Sequence, residues 1–332
     1  MPIMRHELDE TDRRVVAVLL ASPRASWREV AHCLGLSERT VVRRVAPLFA
    51  DGTLRATVVR NPTHIPGVIP ISLRIHCRPN KIRHVAEALA HRSDTIWVDI
   101  LGGGDEISAV FFLDGPEARN TLLLRDLPAT DAVNSWTAQT LLRVFPNAFR
   151  WTAGLLTPEE SARLAPAPLG APPAPPAPLA MDTALITALA EDSRATYTDL
   201  AHRAGTTALT VRRRLDALVG GLVVRLATEV DLALLGIHAE ALLWITVQPG
   251  ALQETAQTLS AHPQVRFTAA TTGPANLLIT LAATDLDALY TFLTTTIGTL
   301  SQIVAVEITP LLATAKRTGL IRRAAPSKPG AC

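Results

Sequence analysis

The feature that most constrains this chain is an internal repeat. Asp12, Leu19, Arg24, Ala25, Ala31, His32, Gly35, Thr40, Val41, Arg43, Arg44 and Leu48 recur 170 positions later, as Asp182, Leu189, Arg194, Ala195, Ala201, His202, Gly205, Thr210, Val211, Arg213, Arg214 and Leu218. Any fold for the sequence must therefore be built from two copies of one unit. Between the copies, residues 165–178 read Ala-Pro-Ala-Pro-Leu-Gly-Ala-Pro-Pro-Ala-Pro-Pro-Ala-Pro. Prolines lack the N–H a helix needs, so this run is expected to be an extended polyproline spacer. Repeat and spacer together predict six segments: 1–61 and 181–236 as reading domains, 62–157 and 237–320 as sensing domains, 158–180 as linker and 321–332 as a basic tail.

Within the first reading domain, Val15, Val16, Leu19 and Leu20 form an apolar helical stripe behind the acids Asp9, Glu10 and Asp12, which suit a helix N-terminus. Ser26-Trp27-Arg28-Glu29 has the form of a capping box and opens a second helix, which Gly35 ends. Ser37 can cap a third helix whose Val41, Val45 and Leu48 point inward. Gly52 stops it, and residues 54–60 are expected to form a short β-wing.

The period then changes. Residues 68–77, 96–101, 107–113 and 135–144 read as strands, with helices at 80–91 and 116–124. The second copy repeats the order, with strands at 242–247, 266–270, 277–282 and 303–310 and helices at 252–260 and 286–296. This βαββαβ order is that of a ferredoxin-like domain, an antiparallel sheet with helices on one face and the other face open. The predicted fold class is α+β: two winged helix-turn-helix domains and two ferredoxin-like sensor domains. Two open sheet faces in one chain can pack on each other as an intramolecular pseudo-dimer.

A helix-turn-helix places its last helix in the DNA major groove, so the face opposite the buried stripe must carry base-reading and phosphate-binding groups. With Val41, Val45 and Leu48 inside, Arg39 and Arg43 fall one turn apart on the outer face, Arg44 lies on a flank, and Ser37, Glu38 and Thr40 occupy the first turn. These six are the candidate DNA contacts of copy one, and Thr207, Thr210, Arg212, Arg213 and Arg214 are those of copy two. Charge supports the first set. Residues 1–61 hold ten basic and seven acidic side chains, whereas residues 62–157 hold nine of each. Residues 182–236 hold six basic and seven acidic, which predicts weaker DNA contact by the second head.

The segment Leu8-Asp9-Glu10-Thr11-Asp12, followed by Gly35-Leu36-Ser37, Thr40-Val41, Arg43-Arg44-Val45, Leu48 and Asp51-Gly52-Thr53-Leu54, resembles the DNA-binding domain of the Lrp/AsnC (feast/famine) regulators. The βαββαβ order is similar to that family's sensing domain. The resemblance implies double-stranded DNA as partner, an amino acid or related metabolite as effector, and a homo-oligomer, here of doubled chains. It also implies an effector site near a Gly-x-x-Asp turn. Gly102-Gly103-Gly104-Asp105 fits that pattern, and Gly273-Pro274-Ala275-Asn276 is similar with Asn in place of Asp. Gly102, Gly104, Asp105, Gly273 and Asn276 are therefore the candidate ligand contacts, with turn N–H groups and a carboxylate to hold the two ends of an amino acid.

Other classes have less support. The chain has no Gly-x-x-x-x-Gly-Lys loop, no His-Glu-x-x-His and no paired-cysteine motif, so no catalytic residue, metal or cofactor is expected. Cys33, Cys77 and Cys332 are too far apart in sequence for a disulfide framework and read as buried or incidental thiols, which suggests the cytoplasm. The charged first residues do not read as a secretory signal, and the uncharged interval of residues 267–284 is broken by Gly273-Pro274, so no membrane span is expected. A net charge of +2 names no partner. One rival comes from the same resemblance: some tetrapyrrole decarboxylases of the sirohaem type look like doubled regulators of this family, with Arg74, His76 and His238 as candidate substrate contacts here. A metabolite-binding scaffold without DNA affinity is the third class.

Overall fold

The computed structural model describes residues 8–145, 150–164 and 174–322. Most of the expected polyproline run, all but the first residues of the basic tail, Cys332 and the first residues of the chain lie outside them. The fold mixes helices with antiparallel sheet, and the chain divides into two compact units at Pro66, Leu141 and Ile308. Unit one holds both reading heads and the second sensor; unit two holds the first sensor and the chain from Thr309.

The first head is α1 (Glu10–Ala21), α2 (Trp27–Leu34) and α3 (Glu38–Ala50), followed by β1 (Arg55–Arg60). Local chemistry fixes each boundary. Asp9 and Asp12 form a reciprocal capping box on α1, and Ser26 and Glu29 another on α2, each satisfying backbone N–H groups that have no helical partner. Gly35, at φ 67°, ends α2 in the left-handed region, and Ser37 accepts the Thr40 N–H to start α3. Val41, Val45 and Leu48 then meet Val15, Val16, Leu19 and Val30 in one core.

Unit two contains β2 (Val68–Cys77), α4 (Ile82–His91), β3 (Thr95–Leu101), β4 (Glu106–Asp114), α5 (Gly115–Thr121) and the start of β5 (Val133–Val144). β4 and β5 flank β2, and β3 flanks β4, all antiparallel. Alternation sorts the residues of β2: Ile71, Leu73 and Ile75 join Val85, Ala86 and Leu89 of α4 in the core, which leaves Ser72, Arg74 and His76 on the other face. β5 passes into unit one at Leu142, where the Phe145 N–H donates to the Thr268 carbonyl at 2.9 Å.

In unit one the chain continues with α6 (Pro158–Leu164). This helix lies in the stretch expected to be linker. Its start has a specific cause: Thr157 and Glu160 bond reciprocally, at 3.2 and 3.0 Å, as a capping box ahead of the proline run. The second head is α7 (Asp182–Glu191), α8 (Tyr197–Ala204), α9 (Ala208–Gly220) and β6 (Val224–Glu229). The second sensor is β7 (Ala239–Val247), α10 (Leu252–Ser260), β8 (Val265–Thr271), β9 (Leu277–Ala283), α11 (Leu286–Thr291) and β10 (Ile303–Arg317), with β11 (Leu320–Ile321) after it.

One further expectation changes. β10 does not end at Pro310. That residue lacks an N–H, but its carbonyl accepts the Gly102 N–H at 2.8 Å, and beyond it Leu311 to Lys316 pair with β3 in unit two. Thr318 and Gly319, at φ 47° and 79°, then turn the chain into β11. The short wing expected over residues 54–60 is a strand, and it does not stand alone. β1 and β6 are single strands that pair with each other, Arg55 with Glu229 through Arg60 with Val224. A lone strand leaves its N–H and C=O groups unpaired, and here the other copy supplies the partners.

Candidate nucleic-acid interface

The two heads are joined by contacts that repeat at the 170-residue offset. The β1–β6 register is centred on Thr57 opposite Ala227, which are counterparts of one another. Arg24 donates to the carbonyls of Ser193 and Ala195, the latter at 3.0 Å, and its counterpart Arg194 donates to those of Pro23 and Ala25 at 2.6 and 2.9 Å. Each guanidinium also lies over the other copy's ring, Arg24 at 4.8 Å from the Tyr197 centroid and Arg194 at 4.0 Å from that of Trp27. Residue i touching j while j's counterpart touches i's is the signature of an isologous interface, here within one chain. Burial, and secondarily the nearby Arg24 charge, push Arg194 down to about 10, which leaves it charged at neutral pH.

On each third helix the buried stripe settles which side chains face out. Ser37, Glu38, Arg39 and Arg43 are exposed on α3, with Thr40 half-buried; Thr207, Thr210, Arg212 and Arg213 are exposed on α9. Among the described residues, the side chains of Arg39, Arg43, Arg212 and Arg213 take part in no ion pair or hydrogen bond. The hydroxyls are engaged locally. Ser37 and Thr40 bond at 2.8 Å, and Thr207 and Thr210 at 2.9 Å, as the first and last hydroxyls of a helix cap.

Arg44 and Arg214 leave the set of candidate DNA contacts. Arg44 donates to Asp9 and Asp12 at 2.6 and 2.8 Å, tying α3 to the start of α1. Arg214 forms a two-pronged pair with Asp182 and also donates to the Ala177 carbonyl at 2.8 Å. Both guanidiniums are thus occupied in holding the third helix of a head against its first. The carboxyls respond. Asp9 lies below the usual carboxylate range because the Asp12 N–H and Arg44 bond to it, and in Asp182 the Arg214 and Leu179 hydrogen bonds outweigh the upward push of burial. The recurrence of Asp12 and Arg44 as Asp182 and Arg214 is the trace of this in the sequence, and it does not by itself say that the two side chains meet.

The glycine turns differ from one another. In unit two the Gly102 N–H is donated to Pro310 and the Gly104 N–H to Leu101, at 2.8 and 2.9 Å, so neither is available to a ligand. Gly104 is left-handed at φ 74°, and a Cβ on Gly103 would come within 2.7 Å of Asp105 Oδ1. Asp105 itself is exposed. In unit one, Gly273 has φ 101°, while the Asn276 side chain accepts the Val247 N–H and donates to the Val247 carbonyl, both at 2.8 Å. Asn276 therefore clamps the end of β7, and its place as a ligand contact is withdrawn.

The remaining candidates are dispersed. Arg74 is paired with Glu106 through two nitrogens, and the half-exposed His76 sits 3.9 Å from the same carboxylate. His238 is exposed. Burial, with the Asp105 charge, pushes the Cys77 thiol up to about 11, and burial with the Glu160 charge raises Cys33, so both are poor nucleophiles. Among the described residues, no group of three His, Cys, Asp or Glu can hold a metal, and no helix is long and apolar enough to cross a membrane.

With this geometry in view, the family model for the AsnC-type helix-turn-helix domain matches residues 8–48 and again residues 180–219, and that for the Lrp/AsnC ligand binding domain matches residues 240–321. The chain thus carries domains of the Lrp/AsnC family at three places. Two of its relatives are uncharacterized HTH-type transcriptional regulators. One, from Pyrococcus furiosus, is 36% identical over 96 residues, 29% of this chain and 63% of the relative. The other, from Pyrococcus horikoshii, is 28% identical over 142 residues, 38% of this chain and 96% of the relative. The chain thus spans somewhat under two thirds of the first relative's length. Its fold is also shared with the crystal structure of the siroheme decarboxylase NirDL, at a TM-score of 0.57, 12% identity and 93% coverage of both chains.

Proposed function

We propose that this chain is a DNA-binding transcriptional regulator that responds to an amino acid or related small metabolite. The observation that carries the reading is the pair Arg39 and Arg43, exposed on the outer face of α3 and without protein partners among the described residues. Guanidiniums that the protein leaves unpaired on a reading helix are available for guanine edges and phosphates. The reciprocal Arg24 and Arg194 contacts support reading the two heads as an intramolecular pseudo-dimer, with Arg212 and Arg213 as the second head's contacts. The βαββαβ segments are read as ferredoxin-like sensing domains, and doubled chains as assembling into a homo-oligomer. For the effector, Asp105 is the exposed carboxylate that can take an ammonium group.

The test is fluorescence anisotropy of the purified chain against the DNA upstream of its own gene and against a scrambled duplex, across a salt series. Tight, salt-sensitive binding that prefers the native duplex is expected. No binding to either duplex at low salt refutes the proposal. Amino acids added to the complex should then change affinity or oligomer size, since an effector acts only through unequal affinity for two states.

The fold likeness to NirDL supports a second reading, a tetrapyrrole decarboxylase. Against it stands Arg74, whose charge is matched by Glu106 and so is not free for a substrate carboxylate. Titration with sirohaem separates the two: a shifted absorbance band together with absent DNA binding would select the enzyme.

A further inference from the structure

The two reading helices are alike where they face inward and different where they face outward. Along the buried side, Val41, Arg44, Val45 and Leu48 correspond to Val211, Arg214, Leu215 and Leu218, the same types in three places and a conservative change in the fourth. On the outer side Glu38 becomes Ala208, Arg39 becomes Leu209, Val42 becomes Arg212 and Ala46 becomes Asp216. Arg43 keeps its type, as Arg213, and so does the first-turn hydroxyl Thr40, as Thr210. The apolar members are presented to solvent, Val42 at 38% and Leu209 at 58% exposure, so neither is a core residue of its head.

Both helices belong to one compact unit, and the register of β1 with β6 and the reciprocal arginine contacts relate the heads as counterparts. Heads related in this way present themselves to DNA in opposite senses, which matches an inverted pair of half-sites. We propose that the DNA recognised by a single chain is an inverted pair of two different half-sites, and not a palindrome. One half-site is read by Arg39 and Arg43 at guanine edges, with Val42 against a thymine methyl. The other is read by Arg213, at the place of Arg43, and Arg212, three residues beyond the place of Arg39, with Leu209 against a thymine methyl. This inference rests on the DNA-binding reading above and adds the kind of site that is bound.

The test is selection of duplexes from a randomised pool with the full chain, followed by affinity measurements on three designed duplexes: the selected site and the two palindromes made from its left and right halves. The expected consensus differs from its own reverse complement, and each palindrome binds about fivefold to a hundredfold more weakly than the selected site. A palindromic consensus, or equal affinity for all three duplexes, overturns the inference while leaving DNA binding intact. Failure to enrich any sequence overturns the DNA-binding reading itself. A variant with Ala208→Glu, Leu209→Arg, Arg212→Val and Asp216→Ala gives α9 the outward face of α3. It should move the preference to the palindrome of the α3 half-site, and a well-folded variant that keeps the original preference overturns the assignment of these positions.

Discussion

Arg44 and Arg214 occupy counterpart positions and make counterpart ion pairs, yet their removal should have unequal consequences. The Arg44 side chain is 27% exposed, with Asp9 at 55% and Asp12 at 17%, so water already screens that cluster. Arg214 is 9% exposed and Asp182 14%. Exposed ion pairs are worth ~0–1 kcal/mol each, so Arg44→Ala should cost the first head about 1 kcal/mol. Truncating one side of a buried pair strands its partner, and Arg214→Ala should cost the second head ~3–5 kcal/mol. The difference, about 2–4 kcal/mol, is a thirtyfold to several-hundredfold change in the constant for local opening. Because a chain of several units need not melt in one step, the assay is native-state hydrogen exchange, comparing amides of α7 and α9 with those of α1 and α3. Replacing the pair together, with Arg214→Met and Asp182→Leu, should restore most of the lost protection, since no charge is then stranded. Equal losses of protection in Arg44→Ala and Arg214→Ala would refute the burial argument. An Arg44→Ala chain with unchanged protection and abolished DNA binding would return Arg44 to the reading surface.

Three other outcomes follow from the same geometry. Arg39→Ala and Arg43→Ala should each weaken binding in the anisotropy assay by ~1–3 kcal/mol without lowering the melting temperature, and unchanged affinity in both removes α3 as a reader. Asp9 and Asp182 have folded-state pKa values below their ordinary value of 3.8, so the stability they contribute is fully present above that value and is lost as pH falls through the folded-state values. Melting temperature should therefore drop on acidification below about pH 4, less steeply in Asp182→Asn, and identical pH profiles would contradict the ion-pair account. Asn276→Asp sets a carboxylate oxygen against the Val247 carbonyl and should cost ~1–3 kcal/mol in urea unfolding, whereas Asp105→Asn, on an exposed side chain, should stay within about 0.5 kcal/mol. Equal costs would mean that Asn276 is not the clamp its two hydrogen bonds describe.

Much of this fold was legible because its boundaries are made by local chemistry. Ser26 with Glu29, Gly35 and Ser37 act on backbone groups within one turn, so the helices they delimit can be read without knowing the rest of the structure. The sensor strands were legible for a related reason, since Ile71, Leu73 and Ile75 alternate with polar residues and sort themselves between two faces. What escaped was set by distant partners. Whether β10 continues past Pro310 depends on β3, and which strand residues 54–60 pair with depends on the other copy's β6. α6 is a different case: Thr157 and Glu160 were a readable capping box, obscured by the proline run behind them. At the candidate site, the outward position of Arg39 and Arg43 followed from helical spacing. The capture of Arg44 by Asp9 and Asp12 required knowing how α1 lies against α3.

The pattern of difference between the copies bears on why a fused arrangement permits an unsymmetrical reader. In an association of identical chains, any change on one reading helix appears on both, so the heads can only read two identical half-sites. Fusion removes that constraint but leaves the interface subject to it, because each head must still fit the other. The sequence follows this division. Arg24 and Arg194, the aromatic rings Trp27 and Tyr197 under them, and the clamps Arg44 and Arg214 keep their chemistry in both copies. Positions 38, 39, 42 and 46 face solvent in the first head, and their counterparts carry different chemistry in the second. Drift confined to non-interface, non-core positions would also alter other exposed sites at random. What distinguishes a reading surface is that charge is displaced and not lost: Arg39 gives way to Leu209 while Val42 gives way to Arg212, so each helix keeps two exposed arginines at positions one turn or less apart. Two arginines per head is the provision a pair of guanine contacts requires, and moving one of them along the helix changes which base pair it reaches.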